Sequence, residues 1–104
     1  MTHARFALDA LADPTRRRIL EKLRHGPRRV GEIAAGLPVS RPAVSQHLKL
    51  LKECGLVVQM PAGTRHVYAI APQGLGELRA YLDGLWEDAL AAFAAHVAQE
   101  KSDD

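Results

Sequence analysis

The four residues Gly36-Leu37-Pro38-Val39 break the chain between two amphipathic segments, and this short interruption limits the fold more than any other stretch. Before it, Val30, Ile33 and Ala34 fall on one side of a segment too short to persist alone as a helix, so it must pack on a neighbour. After it, Ser40 is placed to cap a longer helix from about Arg41 to Cys54. Val44, Leu48 and Leu51 give that helix the i, i+4, i+7 spacing of a buried stripe, and Gly55 supplies a left-handed stop. Two helices joined by a tight turn are therefore expected over residues 30–55. The inward stripe leaves Arg41, Pro42, Ser45, Gln46 and Lys49 on outward or flanking surface.

The flanking segments are short and cleanly punctuated. Arg5 to Leu11 carries Phe6, Leu8 and Leu11 at helical spacing, and Asp13-Pro14-Thr15 is a helix start with a capping carboxylate and a proline at the first helical position. Ile19, Leu20 and Leu23 continue the stripe until His25-Gly26-Pro27 ends it, so the N-terminal helices occupy about residues 5–25. Leu56 to Met60 and Arg65 to Ile70 are β-branched and aliphatic around a Pro61-Ala62-Gly63-Thr64 loop, which predicts a two-stranded wing over 56–70. From 73 to 98 an Ala-rich helix follows, with Leu75, Leu78, Leu82, Leu85, Ala89 and Phe93 spaced by threes and fours. At about 1.5 Å per residue it extends nearly 40 Å, long for so small a body. Residues 99–104 are expected to form a disordered tail. The fold class is thus mainly α with a small β-hairpin, about five helices in a single domain over 1–104.

At 104 residues and 11.4 kDa the chain supports one modest core. One cysteine, Cys54, can close no intramolecular disulfide and supplies no thiolate cage, so stability rests on helix packing and association. No apolar run approaches the roughly 20 residues of a membrane span and the N-terminus lacks a secretory core, which leads us to expect a cytoplasmic protein. The net charge of +2 conceals an asymmetry: residues 1–70 hold twelve Lys/Arg against five acids, and residues 71–104 hold Arg79 and Lys101 against seven. A basic body with an acidic end is the electrostatic outline of a nucleic-acid binder. In that setting Ser45 and Gln46 suit base edges, Gln46 in a two-bond pairing with adenine, and Arg41 suits guanine or a phosphate. Arg65, beside the hairpin tip, suits a groove or a phosphate. The long terminal helix, with Trp86 and Phe93 in its stripe, offers a self-complementary surface across a two-fold axis.

The run from Ser40 to Val57, SRPAVSQHLKLLKECGLV, resembles the recognition-helix signature of ArsR-type winged helix-turn-helix transcriptional regulators. Residues 12–20, ADPTRRRIL, resemble that family's opening helix, and Gly63 to Tyr68 its wing, so the likeness spans roughly residues 5 to 95. The resemblance implies a homodimeric repressor on double-stranded DNA. By it Ser40, Arg41, Ser45, Gln46, His47 and Lys49 carry over as the reading segment, and Arg65 and His66 as wing contacts. Strand alternation leaves a second possibility open for His66, which shares a face with Tyr68 and Ile70 and could pack instead. Phe6, Leu8 and Leu11 of the first helix join Leu78, Leu82, Leu85, Trp86, Ala89 and Phe93 as the implied dimer interface. Two recognition helices about 34–36 Å apart then imply an inverted-repeat operator.

Many members of that family release DNA on binding metal, and here the sequence departs from the pattern. No cysteine stands in the helix before the turn, and His96 with Glu100 makes two ligands of the four a closed zinc site uses, so no metal or other cofactor is expected. Any effector is left unidentified. Cys54 reads as a small buried residue, with a redox role as the alternative. No nucleophile, base and charge stabiliser assemble into an enzyme: of three serines two lie in the reading segment, and Glu87-Asp88 are neighbours on one helix. The competing readings are a protein-interaction module of the same fold and a metal-responsive repressor with an atypical site.

Overall fold

The computed structural model describes residues 3–102, with side chains from Phe6 to Lys101. In chain order the elements are α1 (His3–Leu11), α2 (Pro14–Leu23), α3 (Val30–Ala35), α4 (Arg41–Glu53), β1 (Val57–Ala62), β2 (Arg65–Ile70) and α5 (Pro72–Ser102). Local chemistry sets their ends. The Asp13 carboxylate accepts from the Arg16 backbone N–H at 3.0 Å, and the Ser40 hydroxyl accepts from that of Ala43 at 3.2 Å, which satisfies one orphan donor at the start of α2 and of α4. At the other end of α4, Gly55 takes φ +82°, and the Leu56 N–H closes back on the Leu51 carbonyl at 3.0 Å.

The expected stripe of α4 is fully inward: Val44, Leu48 and Leu51 are each 0% exposed. They meet Ile19 and Leu23 of α2, Ile33 of α3, Leu56 and Val57 at the foot of the wing, and Ala7 and Ala10 of α1. Burying an aliphatic side chain of this size is worth about 1.5–3 kcal/mol, so six residues of α3 hold a helical form only because Ile33 reaches this core.

The wing is tighter than the sequence reading had it. Pro61 and Ala62, expected in the loop, belong to β1, and only Gly63 and Thr64 make the turn. Gly63 sits at φ +65° at the first central position, where a two-residue hairpin favours glycine. The antiparallel register pairs Ala62 with Arg65 beside the turn, so alternation puts Pro61↔His66 and Gln59↔Tyr68 at positions that exchange no hydrogen bond across the hairpin. Pro61 therefore costs β1 no ladder bond. The same alternation turns the Tyr68 backbone outward, and there it exchanges two bonds with Arg28: Tyr68 N–H to the Arg28 carbonyl at 2.8 Å and Arg28 N–H to the Tyr68 carbonyl at 3.0 Å.

Two expectations for the terminal helix need correction. The disordered tail expected from residue 99 is helix through Ser102, with Asp103 and Asp104 outside the described residues. His96 Nε2 lies 3.1 Å from Glu100 Oε1 one turn on, and Lys101 stands in the last turn where the helix dipole favours a cation. Leu78, expected at the dimer interface, is 5% exposed because α5 packs by its first turns against α1, which places Leu78 in the protomer's own core; Leu11 is half-buried against that core. This docking is close. A Cβ on Gly74 would collide with the Gly55 carbonyl oxygen, so the start of α5 lies on the end of α4 backbone to backbone.

Candidate nucleic-acid interface

With the stripe of α4 turned inward, its opposite side carries Arg41, Pro42, Ser45, Gln46 and Lys49, all exposed, and Ser40 is exposed at the cap. Apart from Pro42 in the first turn, the exposed residues of its first two turns are polar, with donors or small hydroxyls suited to base edges. His47 lies elsewhere. Its ring is half-buried against the start of α2, with Nδ1 3.5 Å from Arg16 Nη1 and 3.9 Å from Asp13 Oδ2. The Arg16 backbone N–H holds the Asp13 carboxyl below its ordinary value, against partial desolvation, with the Arg16 and His47 charges adding to the effect. Arg16 is itself committed, its Nε donating to the Ala10 carbonyl at 2.7 Å.

Beside the start of α4 the wing and the α3 end of the helix-turn-helix enclose an open cleft of about 700 Å³, lined by Arg29, Glu32, Arg41, Gln59, Arg65, His66 and Tyr68. Arg65 and His66 are both exposed there, so the packed alternative for His66 is not realised. The Arg41 guanidinium lies across Gly31, 3.6 Å from where a Cβ would stand. Arg29 was not among the sequence candidates. Its placement follows from the Arg28–Tyr68 bridge, a contact between distant segments that leaves no local signal. From the other end of α4, Lys52 Nζ donates to Gln59 Oε1 at 3.2 Å, a further tie between recognition helix and wing.

Of the implied interface residues, Phe6, Leu8, Leu82, Leu85, Trp86, Ala89 and Phe93 are exposed, with Trp86 at 67% and Phe93 at 66%. Tyr81 and Leu90 extend the same apolar surface and were not among the candidates. Cys54 is buried, its Sγ 3.4 Å from the Leu51 carbonyl, and burial pushes its thiol above the ordinary value. Among the described residues no three His, Cys, Asp or Glu side chains cluster, and α3 contains no cysteine. No helix of the described residues is long and apolar enough to cross a membrane.

A capped helix presenting donors beside a basic-tipped hairpin defines a winged helix-turn-helix regulator that binds DNA. Residues 13–58 match the bacterial regulatory protein family arsR. Over 97 residues the chain is 57% identical to the HTH-type transcriptional regulator Rv2034 of Mycobacterium tuberculosis, covering 93% of this chain and 91% of that protein. It is 41% identical over 71 residues to the transcriptional repressor SmtB of the same species, covering 68% of this chain and 53% of that one. Among solved structures it resembles the homodimeric winged helix-turn-helix DNA-binding domain of a possible ArsR-family regulator from Mycobacterium bovis, with TM-score 0.66 and 32% identity over 85% of this chain and 82% of that one. The chain belongs to the arsR family of bacterial regulatory proteins and is a transcriptional regulator.

Proposed function

We propose that the protein acts in the cytoplasm as a homodimeric repressor, laying α4 of each protomer in successive major grooves of an inverted-repeat operator. The observation that carries this is the surface of α4 itself, where Arg41, Ser45, Gln46 and Lys49 stand free of the core beside a basic cleft. Gln46 and Ser45 read base edges; Ser40, Arg41, Pro42 and Lys49 seat the helix start against the groove wall; and Arg65 and His66 of the wing meet the backbone. His47 acts as a positioning residue that sets α4 against Asp13 and Arg16.

Dimerisation is supported by the shape of the protomer. A packed chain of this length has a radius of gyration of roughly 13 Å. This one has 18.7 Å, because α5 runs far beyond the body with Leu82, Leu85, Trp86, Leu90 and Phe93 uncovered. Aromatic side chains such as Trp86 and Phe93 bury about 150–250 Å² each when packed, too much apolar surface to leave to water on one helix. The structural neighbour from Mycobacterium bovis is described as homodimeric, and the relative SmtB as a repressor.

The test combines selection of bound fragments from random DNA with sedimentation of wild type and Trp86→Glu. A recovered inverted repeat, a wild-type dimer and a monomeric variant with weakened operator binding are expected. A monomeric wild type with no sequence preference refutes the proposal.

A further inference from the structure

Arg29, Arg41 and Arg65 come from three separate elements and line one cleft, yet none is paired with a carboxylate among the described residues. Elsewhere arginines serve the fold: Arg16 bonds the Ala10 carbonyl, Arg17 those of Leu11 and Ala12, and Arg79 lies 3.7 Å from Asp83. Among the described residues Glu32 is the one acid on the cleft wall, and its Oε1 accepts from the Arg29 backbone N–H at 3.1 Å. Three arginines lining one cleft against the single carboxylate of Glu32 leave an excess of positive charge in the free protein, which an anion relieves.

The cleft is also held in shape. The paired Arg28–Tyr68 backbone bonds join the segment leading into α3 to the wing strand β2, and Gln59 on the same wall takes a bond from Lys52 of α4. Its two sides therefore keep their spacing without a ligand, and little ordering entropy is lost on binding.

The geometry points to a seat for one DNA backbone phosphate in each protomer, formed by Arg29 and Arg41 on the helix-turn-helix side and Arg65 on the wing side, with His66 at its rim. This rests on the reading of α4 as the major-groove helix. When a helix occupies the major groove and its wing the adjacent minor groove, the ridge between them is the sugar-phosphate backbone, and that ridge enters the cleft. The planar fork of arginine matches two oxygens of a phosphodiester, and such a contact fixes register without reading sequence. Arg29 is the residue this adds to the DNA-binding surface.

The experiment measures binding of full-length wild type, Arg29→Ala, Arg29→Lys and Gln46→Ala to a selected operator and to random duplex across a salt series. Each lost phosphate contact lowers the slope of log K against log salt by about 0.9, which at 0.15 M salt is about fivefold in affinity; two seats per dimer make about thirtyfold. Arg29→Ala is expected to lose this factor equally on operator and random DNA, with the shallower slope, whereas Arg29→Lys recovers most of the slope. Gln46→Ala is expected to weaken operator binding alone. If Gln46→Ala behaves so while Arg29→Ala leaves affinity and slope unchanged, the seat is refuted and the reading of α4 stands. If wild type binds no DNA, both fall. Inorganic phosphate titrated against chloride at equal ionic strength separates the sources of the anion: equal displacement of DNA supports the backbone assignment, and release by phosphate alone overturns it in favour of a free oxyanion.

Discussion

Replacing Gly74 with alanine isolates how α5 is fixed to the recognition helix. Gly74 stands in the first turn of α5, and the obstruction to a Cβ is the Gly55 carbonyl oxygen, with the Gly55 carbonyl carbon behind it. Helix propensity alone favours the substitution by up to about 1 kcal/mol. Overpacking opposes it by about 1–3 kcal/mol, and the upper end applies because a backbone carbonyl, held between the α4 stop and the Leu56–Ala71 hydrogen bond of 2.9 Å, cannot rotate aside as a side chain would. The net is a loss of about 2 kcal/mol, or a fall in Tm of roughly 8–16 °C for a domain of this size. Gly76, two residues on, is the internal control: nothing lies within 4 Å of its Cβ position, so propensity acts unopposed and Gly76→Ala is expected to raise Tm by a few degrees. Thermal melts by circular dichroism at one protomer concentration test both, since association makes Tm concentration-dependent. Equal stabilisation by the two alanines would show that the helices do not approach backbone to backbone.

Leu48→Ala removes a side chain that is 0% exposed at the middle of α4 and is expected to cost about 2–5 kcal/mol in urea unfolding, whereas Lys49→Ala next to it is expected to stay within about 0.5 kcal/mol. Asp13 titrates below its ordinary value in the folded chain, so its contribution is present above pH 4 and is lost as pH falls through the lowered value. Asp13→Asn keeps the cap acceptor and should flatten that part of the acid-unfolding curve, and Asp13→Ala should lower Tm at neutral pH; an unchanged acid limb in Asp13→Asn would count against the assignment. Cys54, buried and with its thiol pushed up, is expected to react with a thiol reagent at least about tenfold more slowly in the native protein than in urea. Native labelling at the unfolded rate would show an accessible thiol.

What the sequence made legible was local in origin. The period of Val44, Leu48 and Leu51, the Ser40 cap and the Gly55 stop are set by contacts within a few residues, and each stands where the pattern placed it. The same holds for the exposed side of α4, which follows once the inward stripe is known. Less was legible where a distant segment decided the outcome. Leu78 has the same spacing as Leu82 and Leu85, and only the docking of α5 on α1 separates the buried leucine from the exposed ones. His47 reads as one more polar residue in the recognition run until Asp13 and Arg16, some thirty residues earlier, turn out to face it. The end of α5 departs from expectation for another reason: the segment is polar and charged, yet Ala, Gln, Glu and Lys are strong helix formers that need little packing to continue an existing helix.

The ties on α4 bear on how the two halves of a dimer would act together. Its last turn is fixed to the wing through Lys52 and Gln59, and its stop at Gly55 is fixed to the start of α5 through Gly74. The wing in turn is held to the entrance of α3 by Arg28 and Tyr68. Reading helix, wing and terminal helix are thus joined by backbone contacts or short polar links. In a dimer formed along α5, the position of one reading helix relative to the other is then set by how the two terminal helices cross. A change of crossing a few ångströms in size would then be passed to the DNA face through these links. Substitutions along Leu82, Leu85 and Phe93 should therefore alter the operator spacing the dimer accepts, as well as how tightly its halves associate.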